Sequence, residues 1–258
     1  MTKLTMFVDG PAGRLHLDDG GTGGVPVLFV HGGGANLSQW AAQLAHLRAS
    51  RRALAFDLRG MGQSDRPADG DYGLEAMAGD VLAVAAARRL GRFVLVAHSY
   101  GVAVACAFAG AHPDRLAGLV LVDGYGAKLV LSPEEERQMA EGFRPERYES
   151  FTASWFEPLL VNARPRTREA VLGSLRATPP EVFTRSLRQS IGFDPGAALA
   201  RYPGPRLAIA CAALDNPQMM QHAIPGIPCR MVEGVSHWIQ LDAPDEVNAI
   251  LDEFLAGL

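Results

Sequence analysis

The sequence predicts an α/β protein: a mostly parallel sheet with helices on both faces, interrupted by a helical insertion. Three observations carry this. Short apolar runs such as Val27-Leu28-Phe29-Val30 lack polar alternation, as expected of strands covered on both faces. From Ala53 to Val122 such runs alternate with helical segments. The alternation stops near Asp123, and strand signals return only at Leu207.

Taken in order, Leu4 to Val8 and Arg14 to Asp18 are short, partly alternating segments around Gly10-Pro11-Ala12-Gly13, which reads as a hairpin. Val27 to Val30 is a buried strand. Ser38 to Arg48 reads as helix, Ala53 to Phe56 as strand, Leu74 to Leu90 as helix and Phe93 to Ala97 as strand. Gly101 to Ala111 is a helix of small residues, and Leu119 to Val122 a strand. Beyond it, Ser132-Pro133-Glu134-Glu135 is a helix start: Ser132 caps, Pro133 suits the first helical position and Glu135 completes a capping box. Glu146 to Leu160, Arg166 to Arg176 and Glu181 to Ile191 are further helices, punctuated by Pro145, Pro165 and Pro179-Pro180. Leu207 to Cys211 and Cys229 to Val232 are the last strands. Val247, Ile250, Leu251 and Phe254 recur at helical spacing in a closing helix from Pro244 to Leu255.

Composition bounds the function. The chain has 258 residues, 48% hydrophobic and 20% charged, with a formal net charge of −4. That is ordinary globular composition and argues against nucleic acid or an anionic membrane as the main partner. The N-terminus, Met1-Thr2-Lys3-Leu4, has no apolar stretch of the secretory kind. The longest apolar run, Gly101 to Ala111, is far short of the roughly 18 residues that span a bilayer. The expected location is cytoplasmic. Cys106, Cys211 and Cys229 read as small buried hydrophobes, and no metal-ligand spacing occurs, so no metal is expected.

The sharpest motif is Val94-Leu95-Val96-Ala97-His98-Ser99-Tyr100-Gly101. A strand ends, Ser99 sits at a tight turn and a helix begins. Such a turn lifts the hydroxyl above the strand ends, and small Ala97 and Gly101 flank it where bulk would clash. The competing reading is that Ser99 only caps the helix. Two further pieces favour chemistry. His31-Gly32-Gly33-Gly34 follows a strand and lets backbone N–H groups approach a ligand, with His31 itself structural. His237, in Val235-Ser236-His237-Trp238, lies after the last strand, where it can reach Ser99. His16, His46, His112 and His222 read as surface or helix-end residues. A histidine base needs an orienting carboxylate, and Asp123 and Asp215 both sit just past apolar strands; either yields the order Ser, Asp, His.

With these pieces the chain resembles the alpha/beta-hydrolase superfamily, in particular its capped, esterase-like serine hydrolases. The matching residues are His31 to Gly34, Asp57-Leu58-Arg59-Gly60-Met61-Gly62-Gln63-Ser64, the turn around Ser99, Asp215 and His237. The resemblance implies an eight-stranded sheet, a core of residues 1–124 and 205–258, and a helical cap at 125–204. It implies Ser99 as nucleophile, His237 as base, Asp215 as acid in preference to Asp123, and an oxyanion hole at the N–H groups of Gly33 and Tyr100. The Asp57 to Ser64 segment is expected to be scaffold. Two departures are Ala97 where Gly-x-Ser-x-Gly has glycine, and Val102 where many relatives have a second glycine.

The cap aromatics Tyr148, Phe151, Trp155 and Phe156 share one helical face, either as cap packing or as an apolar wall over Ser99. Phe151, Trp155 and Trp238 are the pocket candidates. Arg137, Arg144, Arg147, Arg164, Arg166 and Arg168 read as a solvated face, one of which would hold any substrate carboxylate. The expected activity is hydrolysis of a small carboxylic ester or lactone through an acyl-enzyme, without a cofactor. The rivals are cofactor-free dioxygenation, carbon–carbon hydrolysis, perhydrolysis, and a ligand-binding receptor that keeps the triad.

Overall fold

The computed structural model describes residues 6–258. Met1 to Thr5, and with them the start of the first predicted strand at Leu4, lie outside the described residues. The strands are β1 (Met6–Gly10), β2 (Gly13–Gly20), β3 (Val27–Val30), β4 (Ala53–Phe56), β5 (Phe93–His98), β6 (Leu116–Val122), β7 (Arg206–Cys211) and β8 (Cys229–Val232). They form one eight-stranded sheet in the order β1-β2-β4-β3-β5-β6-β7-β8. β1 and β2 are antiparallel, as is β2 with β4, and every later pairing is parallel. The apolar runs map onto the central strands: every residue of β3, β4 and β5 is buried. A strand covered on both faces has no solvent side on which to place a polar residue.

Flanking the sheet are α1 (Ala41–Leu47), α2 (Leu74–Ala87), α3 (Tyr100–Ala111) and α11 (Pro244–Ala256). α2 and α3 pack on one face through Met77, Val81, Val104 and Phe108. α1 and α11 cover the other through Leu44, Leu47, Val247 and Leu251. The predicted helix from Ser38 begins instead with a 3₁₀ turn, Leu37–Trp40, ahead of α1.

Between β6 and β7 lie α4 (Pro133–Gly142), α5 (Tyr148–Leu159), α6 (Pro165–Ala177), α7 (Pro180–Ser190) and α8 (Pro195–Leu199). The capping box at Ser132 and Glu135 has both of its reciprocal hydrogen bonds. Phe156, Leu160, Val171, Leu175 and Phe183 form their own apolar cluster, which Trp238 joins from the sheet domain. α8 lies so close to α3 that a Cβ on Gly110 would stand 2.9 Å from the Ala198 carbonyl oxygen. Short α9 (Met220–Ala223) and α10 (Ile239–Asp242) complete the chain. Among the described residues no helix is long and apolar enough to cross a membrane, and no cluster of acidic, histidine or cysteine side chains could hold a metal ion.

Candidate active site

β5 runs into α3 through Ser99, whose φ of +54° and ψ of −120° fall in a region that non-glycine residues rarely occupy. The turn needs bare neighbours. A Cβ on Gly101 would stand 2.6 Å from the His31 carbonyl oxygen, a contact no side chain survives. Ala97 is fully buried, so the first departure from the glycine pattern is a methyl group that the packing accepts. Val102 is the second departure, and its side chain fills space left open by Gly124, where a Cβ would lie 2.7 Å from it.

Ser99 Oγ is 2.7 Å from His237 Nε2, and His237 Nδ1 is 2.6 Å from Asp123 Oδ2. With Nδ1 donating to the carboxylate, Nε2 is left to accept the serine hydroxyl proton. The carboxylate bonded to His237 is therefore that of Asp123, and Asp215, which the resemblance favours, lies elsewhere. The cause is local. Asp123 follows β6 directly, turns with φ +47°, and its N–H still donates to Ile209 O at 2.8 Å. Its side chain then takes over the ladder: Oδ1 accepts the Cys211 N–H at 2.8 Å. Asp215 is carried away from the strand end by a 3₁₀ turn, Ala212–Leu214. It lies at the surface, accepting from Gln221 at 2.6 Å and paired with His222 at 2.7 Å. Its carboxyl is lowered although desolvation acts against this, because His222 and Gln221 hydrogen-bond it.

Gly33 and Tyr100 lie side by side, with a Cβ on Gly33 3.4 Å from that of Tyr100. Tyr100 opens α3, so its N–H is among those that a helix leaves without an intrahelical acceptor. His31 is structural: Nδ1 bonds the Gly32 carbonyl at 2.7 Å and Nε2 accepts the Leu58 N–H at 3.0 Å. Asp57 gathers His16 Nδ1 and the N–H groups of Leu37 and Gln63, which makes this segment scaffold. His16 is consequently buried on β2 rather than at the surface.

Ser99 opens into a cavity of about 240 Å³. Trp155, Phe156 and Phe183 pack together in its lining, with Trp238 beside His237, and Leu129, Leu159, Phe193, Leu214 and Met219 complete the apolar wall. Of the three pocket candidates, Trp155 and Trp238 line this cavity. Phe151 is not among the lining residues: it turns toward α4 and packs edge-on against Phe143 at 5.2 Å. Among the described residues no lysine or arginine lines the cavity. The exposed arginines Arg137, Arg144 and Arg168 pair instead with Glu134, Glu141 and Glu157.

Three contacts around His237 escape the sequence reading. His98 Nε2 donates to the His237 carbonyl at 2.9 Å. Leu159 O accepts the His237 N–H at 3.1 Å. Asp242 binds the neighbouring Ser236. The first is detectable only as a histidine beside Ser99; the second is a backbone group, invisible to side-chain reasoning.

Residues 25–201 match the family model of the alpha/beta hydrolase fold. The chain belongs to that family. Among curated relatives, this alpha/beta hydrolase is 34% identical over 122 residues to 2-hydroxymuconate semialdehyde hydrolase of Pseudomonas sp. strain CF600, covering 46% of the chain and 43% of the relative. Against relatives of this kind the chain spans less than half of their length. It is 27% identical over 284 residues to the haloalkane dehalogenase of Sphingobium indicum, covering 98% of the chain and 95% of the relative. Among solved structures, a thermophilic esterase from Thermogutta terrifontis superposes with a TM-score of 0.85 at 29% identity, covering 99% of both chains.

Proposed function

We propose that this alpha/beta hydrolase is a serine hydrolase acting on an uncharged carboxylic ester or lactone. The observation that carries the reading is the unbroken hydrogen-bond chain Ser99–His237–Asp123 at the mouth of an apolar cavity. His237 takes the Ser99 proton as Oγ attacks the carbonyl carbon. The N–H groups of Gly33 and Tyr100 hold the developing oxyanion. His237 returns the proton to the leaving alkoxide, which departs as the alcohol. The imidazole then takes a proton from water, hydroxide attacks the acyl-enzyme, and Ser99 recovers its proton as the acid leaves. Asp123 holds the productive tautomer throughout and stabilises the imidazolium that forms twice per turnover. Residues 125–204 act as a cap whose inner face selects the substrate.

The likeness to the Thermogutta esterase supports ester chemistry. The likeness to 2-hydroxymuconate semialdehyde hydrolase names the rival, carbon–carbon cleavage. The lining favours the ester: with no lysine or arginine among the described wall residues, a substrate carboxylate would be desolvated without a counter-charge, at a cost of several kcal/mol. Neither the ester nor the lactone route calls for a cofactor. The deciding experiment is turnover of a panel of neutral aryl esters and lactones alongside a vinylogous diketone acid. Preferred hydrolysis of the diketone acid would replace the ester reading.

A further inference from the structure

Asp242 is fully buried, and no cation lies within ion-pair distance of it among the described residues. A carboxylate in that position is costly unless donors surround it. Its donors come from two separate parts of the chain. Oδ2 accepts the N–H of Ser236 at 2.9 Å and the Ser236 hydroxyl. Oδ1 accepts the N–H of Arg164 at 3.0 Å, at the entry of α6. Ser236 immediately precedes His237. The His237 N–H is bonded to Leu159 O, at the other end of the same α5–α6 corner, and its carbonyl is bonded to His98. Next along, Trp238 stacks on Phe156 of α5, with centroids 5.7 Å apart and planes 27° apart.

From this we infer that Asp242 is a positioning residue for His237: it fastens the histidine loop to the α5–α6 corner, so that the imidazole is aligned only while that corner is docked. The inference rests on reading Ser99 and His237 as nucleophile and base. The mutual bond at 2.7 Å leaves little slack, and a displacement near 1 Å costs roughly 10²-fold in rate. A neutral staple would not serve. An asparagine offers one acceptor oxygen, and its amide would face either Arg164 N–H or Ser236 N–H, donor against donor.

The test compares wild type, Asp242→Asn and Ser236→Ala. It reads the rate of Ser99 labelling by a fluorophosphonate, kcat and KM on a neutral aryl ester, and amide hydrogen exchange at Arg164, Ser236 and His237. The expected result for Asp242→Asn is a loss of about 10²-fold in labelling rate and kcat, a KM within a few-fold of wild type, and fast exchange at those amides. Ser236→Ala keeps both N–H bonds and should lose roughly tenfold with its fold intact, which preserves the test if Asp242→Asn does not fold. Folded variants that label and turn over at wild-type rates, or amides that stay protected in Asp242→Asn, overturn the inference. Wild type inert to the fluorophosphonate would instead refute Ser99 as nucleophile, leaving the tie itself to be judged by the exchange data.

Discussion

Ser99 holds a backbone conformation that costs of order 1–3 kcal/mol, and the structure around it enforces that strain. Such a cost fits a residue whose hydroxyl must stand clear of the strand. Ser99→Ala should lower kcat on an aryl ester by at least roughly 10³-fold with the fold retained, as seen by circular dichroism. Near-wild-type turnover by that variant would remove the nucleophile. The acid assignment has its own discriminating pair. Asp123→Asn should cost up to about 10⁴-fold if the serine-protease template carries over, because the imidazole loses its tautomer. Asp215→Asn, at a surface site tied to His222, should stay within about threefold, since a surface substitution shifts stability by only about 0.5 kcal/mol. The reverse ranking of the two rates would reinstate Asp215. Ser99 and His237 are legible in the sequence because strand, small residue and helix punctuate them within a few positions. The choice between the two aspartates is not, since it turns on a three-residue 3₁₀ turn built from Ala212, Ala213 and Leu214, which have no turn chemistry of their own.

At the scale of elements, the apolar runs locate the central strands well because burial on both faces leaves a signal that no helix of the same length mimics here. α8, α9 and α10 leave none: at four or five residues they are too short to show a period, and tertiary packing alone holds them. The α3–β6 junction offers a sharper test. Val102 and Gly124 are complementary, so Gly124→Ala should destabilise the protein by about 1–3 kcal/mol in urea unfolding, with the Asp123 turn displaced. Adding Val102→Gly should recover part of that loss despite glycine's own helix penalty. A double variant no better than the sum of its parts would mean that the clash is relieved elsewhere. On the cap side, Trp155→Ala enlarges the cavity wall without touching Ser99. It should raise kcat/KM for long acyl chains relative to acetate in a p-nitrophenyl ester series. An unchanged chain-length profile would place Trp155 outside the acyl path.

Over the whole molecule, two buried histidines couple stability to pH. Burial lowers the pKa of His31, and burial reinforced by nearby His237 takes His98 well below the ordinary value. His31 must stay neutral to accept from Leu58, while His98 has a buried Nδ1 without a partner. Above about pH 6.5 neither the folded nor the unfolded chain protonates them. Below it the unfolded chain takes up protons that the folded chain refuses, so stability falls with pH until each histidine's lowered folded value is reached, over the wider range for His98. Asp19, where Arg52 and Arg88 outweigh desolvation, acts in the same direction only below about pH 4. The urea midpoint should therefore be lower at pH 5.5 than at 7.5, with a shallower slope in His98→Gln; a midpoint independent of pH would contradict this. The strand order has a consequence for altering the enzyme. Because the carboxylate bonded to His237 comes from the end of β6, the proposed chemistry leaves the segment after β7 free of a catalytic side chain while Leu214, Asn216 and Met219 line the cavity. Its links to the Tyr125–Ala127 segment run through main-chain atoms, including Gly126 N to Gln218 O at 2.9 Å. With Asn216 kept, because its Oδ1 accepts the Gln218 N–H at 3.0 Å, a library that varies Leu214 and Met219 among apolar side chains should yield new selectivities while turnover persists.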